Sequence, residues 1–287
     1  MSDRGELANP GAGPAGRTEP TVPTVPPVTV RVEDGIACVE LNRPARGNAL
    51  SAMLVEALLD AIGRAFADRS VHTLMLTGAG RHFCTGFDLG DLDAASDGDL
   101  LLRVARIETL LDTVWRAPVR TVAIATGRAW GAGADLVAAC DLRLVTPDTT
   151  LRFPGAAFGL VLGTRRLAER VGADQTRQWI TEGTTLDATA AAAAGLASRI
   201  VAPPHDDGQA DALTRWRHEA FGAAPTLDRD TLAAIRAASR PAGGPGADAL
   251  ADADLAALVR SAARPGLKAR ILAYRERARS QAEPRPG

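Results

Sequence analysis

The sequence predicts an α/β fold with a helical C-terminal region. From residue 28 to about 153, short apolar runs of strand length alternate with amphipathic helical stretches. Glycine-bearing loops follow the buried strand runs, where α/β proteins usually hold their ligands. From Gly163 onward the alternation gives way to consecutive short helical segments.

Residues 1–27 are rich in Pro, Gly and Thr and nearly free of large apolar side chains. They cannot bury enough surface to offset their ordering entropy, so they read as a disordered tail, with order starting near Val28. VTVRVE (28–33) and IACVEL (36–41) alternate on either side of Asp34-Gly35, a hairpin signal. Residues 51–68 carry an apolar stripe at Leu54, Leu58, Ile62 and Phe66, with Ser51 as N-cap. Residues 72–78 form a buried strand ending in glycine, and the loop RHFCTGFDLGD follows. A second amphipathic helix covers 100–116 and stops before Pro118. Another buried strand spans 119–127, a glycine-led apolar helix 130–141, and a strand 142–146. GTRRLAERVG, ADQTRQWITEG and DATAAAAAGL then read as short helices, 198–201 as a small strand, and 208–279 as helical segments broken at 241–248. The expected organisation is a tail (1–27), an α/β core (28–202) and a helical C-terminal region (203–287).

Composition bounds the function. Lys+Arg is 33 and Asp+Glu 34, a net charge of −1, which argues against a broad nucleic-acid surface. Lys268 is the only lysine; with so much Ala and Gly, the arginine excess reads as coding bias. No run approaches about eighteen apolar residues, so no membrane span is expected. Cys38, Cys84 and Cys140 lie far apart, with no C-x-x-C pair and no zinc spacing. That implies a reduced, cytoplasmic protein with no metal site. The N-terminus has no apolar core of the kind a secretory signal carries.

Two loops stand out: Cys84-Thr85-Gly86-Phe87-Asp88-Leu89, and Gly127 to Leu136, which contains Gly131-Ala132-Gly133-Ala134-Asp135. Each follows a buried strand. The second opens a helix, whose first N–H groups are free and sit at the positive end of the dipole. Neither has the spacing of a dinucleotide or Walker loop.

In order along the chain, these loops resemble the crotonase (enoyl-CoA hydratase/isomerase) superfamily. The matching residues are Leu41-Asn42-Arg43-Pro44 with Asn48-Ala49-Leu50, then Leu76-Thr77-Gly78 leading to Phe83 through Leu89. Gly131 through Leu136 with Ala139-Cys140-Asp141 come next, followed by Gly163-Thr164-Arg165-Arg166-Leu167 and Ala193-Ala194-Gly195-Leu196-Ala197. The resemblance runs from about 28 to 201, and more loosely to about 279. It implies a crotonase-like spiral of β-β-α units with a helical C-terminal region that serves oligomerisation and covers the CoA pocket. It also implies a homotrimer or homohexamer, a role such as fatty acid metabolism, and an acyl-CoA thioester substrate, with CoA as part of the substrate and no separate cofactor.

By motif position, the oxyanion-hole donors would be the main-chain N–H groups of Phe87 and Ala132, each such donor typically worth ~3–4 kcal/mol in a transition state. Gly86, Asp88, Leu89 and Gly133 would contact substrate or CoA. The first family carboxylate, usually glutamate, is Asp135, three residues beyond Ala132 on the same helical face. Burial would raise its pKa and the helix dipole would lower it; the sequence leaves the balance open. The second carboxylate is absent: fourteen residues after Asp141 stands Gly155, following Pro154. The loop Gly159–Gly163 is about two residues shorter than the family's. Elsewhere, Asp88 reads as a loop organiser, His82 as solvent-facing, Asp141 as a turn holder, Trp130 as core or pocket wall, and Arg46, Arg152 and Lys268 as surface charges.

A single retained acid/base fits double-bond isomerisation or hydration through an enolate. The alternatives are a decarboxylase or thioester hydrolase of specialised metabolism, or a non-catalytic acyl-CoA-binding or assembly subunit.

Overall fold

The computed structural model describes residues 25–202, 227–239 and 247–282. Strands β1 (Val28–Glu33) and β2 (Ile36–Leu41) form the expected antiparallel hairpin. Asp34 and Gly35 both hold positive φ (49° and 71°), as a two-residue turn matched to strand twist requires. Helix α1 (Ala52–Ala67) is capped by the Ser51 side chain, which accepts the Leu54 N–H at 3.2 Å. Strand β3 (Thr73–Gly78) ends where a side chain at residue 78 would meet the Phe83 Cα at 2.8 Å.

Helix α2 (Asp97–Trp115) starts three residues earlier than its apolar stripe suggests. Ser96 and Asp99 cap it reciprocally: the Asp99 N–H donates to the Ser96 hydroxyl, and the Ser96 N–H to the Asp99 carboxylate. Strand β4 (Arg120–Ala125), β5 (Arg128–Trp130), helix α3 (Ala132–Ala139), β6 (Leu142–Val145) and β7 (Thr150–Arg152) follow. Helices α4 (Thr164–Val171) and α5 (Ala173–Glu182), strand β8 (Thr185–Asp187), helix α6 (Ala188–Ala193) and strand β9 (Arg199–Ile200) complete the core.

The main sheet has the order β1-β2-β3-β4-β6-β9, parallel except for the hairpin. A small second sheet, β5-β7-β8, lies outside the sequence expectation. Its three-residue strands are too short to show a period, and partners distant in sequence hold them. The main core joins the parallel strands to α1, α2 and α3. Beyond it lie α7 (Arg229–Ala238), α8 (Ala247–Ala262) and α9 (Leu267–Ala282). Leu258, Ala262, Leu267 and Ile271 form a second core with Leu92, Leu100, Val104, Phe158 and Leu160, which fastens α8 and α9 over one end of the molecule.

The described chain begins at residue 25, near the expected start at Val28, and the Pro27 and Pro26 carbonyls accept the Asn42 backbone and side-chain N–H groups at 2.7 and 3.1 Å. Residues 1–24, most of the expected tail, lie outside the described residues, as do 203–226 and 240–246 of the expected C-terminal helical region. His82 is half-buried rather than solvent-facing, and its Nδ1 accepts the Arg128 N–H at 3.2 Å.

Candidate functional site

The two glycine loops meet backbone to backbone. Gly86 (φ 91°) and Gly131 (φ 55°) occupy conformations that side chains disfavour. A side chain at residue 86 would come within 2.6 Å of the Trp130 carbonyl oxygen and 3.4 Å of the Gly131 Cα, so only glycine lets the turns touch. Gly133 has a similar role, since a side chain there would come within 2.8 Å of the Cys84 Cβ.

The residues after these glycines, Phe87 and Ala132, both line a cavity of about 680 Å³. Their N–H groups are spare for a definite reason. Phe87 bridges to Leu50 through the Leu50 N–H (to the Gly86 carbonyl, 2.7 Å) and the Asp88 N–H (to the Leu50 carbonyl, 3.2 Å). The Phe87 N–H itself falls on the opposite edge. Ala132 is the first residue of α3, where the helix supplies no acceptor. Among the described residues, neither N–H has a hydrogen-bond partner.

Asp135 also lines the cavity and is only 6 % exposed. Its carboxyl group makes no hydrogen bond with any described residue. Burial raises its pKa well above the usual aspartate range, Glu108 raises it further, and Arg166 pulls it back. Gly163, the residue before α4, leaves room for the carboxyl: a methyl group there would lie within 2.5 Å of the Asp135 Cγ.

Behind Asp135 lies a buried ion pair that sequence reasoning missed. Arg166 (1 % exposed) donates to Glu108 (3 % exposed) through two bonds, of 2.5 and 3.2 Å. Asp112 and Asp254 each stand 3.6 Å from the same guanidinium, and Arg165 also bonds Asp254. This network joins α2, α4 and α8 around the floor of the site. In sequence, Glu108 is one polar residue on a helix face, and nothing in the pattern separates it from solvated neighbours.

The other expected site residues divide. Leu89 and Asp88 line the cavity; Gly86 and Gly133 stand behind it as backbone contacts. Asp88 pairs with Arg43 at 2.9 Å and accepts the Gly90 N–H at 2.9 Å, organising its loop. Desolvation raises the Asp88 pKa, but the Gly90 and Arg43 hydrogen bonds outweigh it and hold the carboxyl below the usual range. Asn48, fully buried at a positive φ of 55°, ties this region together: it accepts the Arg43 N–H and donates to the Ala79 and His82 carbonyls. The sequence flagged Asn48 as a motif residue without revealing that role. Asp141 accepts the Thr121 N–H and hydroxyl, as a turn holder should.

Trp130 is a cavity wall, its indole N–H donating to the Thr150 hydroxyl. Gly155 lines the cavity beside it; Arg152 instead bonds the Gly183 carbonyl. Arg46, Arg128, Arg275 and Arg279 also line the cavity, whereas Lys268 is engaged with the Asp93 carbonyl outside it. Tyr274 of α9 packs its ring against Phe158, with centroids 5.1 Å apart, and both face the cavity. The three cysteines are free and buried; burial pushes the Cys84 and Cys140 thiols up to about 12. Among the described residues no helix is long and apolar enough to cross a membrane.

A parallel main sheet, a small side sheet and two touching glycine turns with spare N–H groups define a crotonase-fold protein. The chain belongs to the enoyl-CoA hydratase/isomerase family, whose model matches residues 31–242. It is 39% identical over 199 residues to "Probable enoyl-CoA hydratase echA6" of Mycobacterium leprae, covering 67% of this chain and 75% of that one. The crystal structure of a Bordetella parapertussis protein assigned as an enoyl-CoA hydratase/isomerase superposes with a TM-score of 0.76 at 42% identity, covering 90% of this chain and 99% of that one. The ethylmalonyl-CoA decarboxylase of Mus musculus is 28% identical over 204 residues, 70% of this chain and 63% of that protein.

Proposed function

We propose that this chain is an enzyme acting on an acyl-CoA thioester through an enolate, with the thioester oxygen held by the Phe87 and Ala132 N–H groups and Asp135 as the proton carrier. The observation that carries this reading is the convergence of two unpartnered main-chain donors and one buried carboxyl on a single cavity. Four arginines along that cavity suit the phosphates of CoA.

The chemistry follows from the geometry. As a proton leaves the α- or γ-carbon, charge moves onto the thioester oxygen, where two fixed N–H dipoles stabilise it without reorganisation. The ionised Asp135 takes that proton and returns it to another carbon, which shifts the double bond. In hydration the same group would handle both the water proton and the α-proton. A carboxyl with a raised pKa is a stronger base once ionised and so better matched to a weakly acidic carbon. Decarboxylation is the second reading, favoured by the same elevation. Loss of CO₂ generates the enolate with no base, and a protonated Asp135 then delivers a proton to the α-carbon.

The test is a panel of enoyl-, acyl- and carboxyacyl-CoA thioesters in D₂O, read by mass spectrometry. Deuterium uptake, water addition or CO₂ loss that depends on Asp135 supports the enzyme. Tight thioester binding with none of these supports a non-catalytic acyl-CoA-binding subunit. The same reading places the protein in the cytoplasm as a homotrimer or homohexamer; a monomer by light scattering at micromolar concentration counts against the assembly.

A further inference from the structure

Gly155 differs from the other glycines of the site. Its backbone has no positive φ, so the turn it occupies (Pro154–Phe158) would accept an L side chain without strain. A Cβ at this position would meet nothing nearer than the Leu160 carbonyl oxygen at 3.8 Å, an ordinary contact. Neither conformation nor crowding requires glycine here, in contrast to Gly86, Gly131 and Gly163.

Its location gives the open space a meaning. Strand β7 pairs in parallel with β5, with Trp130 opposite Arg152, and the Gly131 N–H donates to the Arg152 carbonyl at 2.8 Å. The chain after β7 therefore runs beside the turn that carries the Ala132 N–H, and Pro154 lies within 3.9 Å of where a Gly131 side chain would start. Gly155 and Asp135 line the same cavity, and on the proposed reading the acyl group runs from the Ala132 N–H past this stretch. The apolar residues Ala132, Pro154, Ala156, Leu160 and Leu162 line that cavity too.

We infer that Gly155 is a specificity-determining residue: the space above it receives an apolar branch on the β-carbon of the acyl group, so the preferred substrates are branched acyl-CoA thioesters. This rests on the acyl-CoA reading above. An apolar notch left without substrate bulk would hold poorly bonded water, which a methyl branch displaces favourably.

The experiment measures the affinity of CoA, butyryl-CoA and 3-methylbutyryl-CoA by calorimetry, for the wild type and for Gly155→Ala and Gly155→Val. Both thioesters are saturated, so no turnover is needed. The wild type should bind the branched thioester at least as tightly as the linear one. Gly155→Val should weaken 3-methylbutyryl-CoA by about tenfold or more, with butyryl-CoA changing less than about threefold and CoA unchanged; Gly155→Ala should fall between. Thermal melting of both variants should match the wild type, since the backbone there is unstrained. Equal weakening of the two thioesters, or a retained branched preference in a folded Gly155→Val, overturns this inference alone. If the wild type binds neither thioester better than CoA, the acyl-CoA reading falls and takes this inference with it.

Discussion

Gly163→Ala tests the floor of the site from behind. A methyl group at 163 would lie 2.5 Å from the Asp135 Cγ and 3.0 Å from its Cβ. Carbon atoms pack at about 3.5 Å or more, so the carboxyl must retreat by about 1 Å. The backbone adds a second cost, because residue 163 has φ 65° and ψ −4°, a left-handed conformation that costs an L residue about 1–2 kcal/mol. Forcing Asp135 off its rotamer adds about 1 kcal/mol. The sum, about 2–3 kcal/mol, should lower the melting temperature by roughly 4–12 °C. A displacement of about 1 Å in a reacting group costs about 100-fold in rate, so Asp135-dependent deuterium uptake should fall by that factor. Gly172→Ala is the control: it also has positive φ (85°), but a methyl group there meets nothing within 4 Å. It should lose stability and keep its activity. A folded Gly163→Ala whose activity matches that of Gly172→Ala refutes the account of how Asp135 is held.

Three further outcomes are expected. Asp135→Asn should lower turnover by about 10²–10⁴ while raising stability at neutral pH. The sign follows from the raised native pKa: below the unfolded carboxyl value both states are protonated, and as pH climbs toward the native value the wild type progressively loses stability that Asn keeps. Melting curves of the two proteins should converge below about pH 4 and separate above it; a constant gap defeats the argument. Ala132→Pro removes one donor at the first position of α3, where helices tolerate proline, and should cost about 10²–10³ in turnover with the fold retained. A chain starting at Val25 should melt with the full-length protein. One starting at Val28 loses both carbonyl contacts to Asn42 and should melt about 2–6 °C lower, whereas an unchanged midpoint shows that those contacts contribute nothing.

Legibility in the sequence followed the range of the interactions. The hairpin at Asp34-Gly35 and the Ser51 cap are local chemistry, and both were readable. The Ser96–Asp99 cap is equally local, but the apolar stripe begins only at Leu100 and sets a later start. Phe87, Ala132 and Asp135 could be proposed together only through the resemblance of their loops to the crotonase superfamily, and the structure brings all three to one cavity. The room that Gly163 leaves for Asp135 and the Glu108–Arg166 pair were not readable. They come from segments 28 or more positions away, and nothing in a polar helix face announces that it will be buried. The β5-β7-β8 sheet was missed for the related reason that three residues carry no periodicity.

The two unpartnered donors belong to the peptide backbone, and this shifts where the site is vulnerable to mutation. A codon change at 87 or 132 alters the cavity wall but leaves the N–H in place, unless it introduces proline. A change at 86 forces apart two turns in backbone contact, and one at 131 strains a backbone held at φ 55°. Intolerance to substitution should therefore fall one position before each donor, and variability on the donor itself. Over evolutionary time such a layout separates two properties that side-chain catalysts bind together. On the proposed reading, the lineage can explore new acyl groups at residues 87 and 132 without revising the electrostatics that stabilise the enolate.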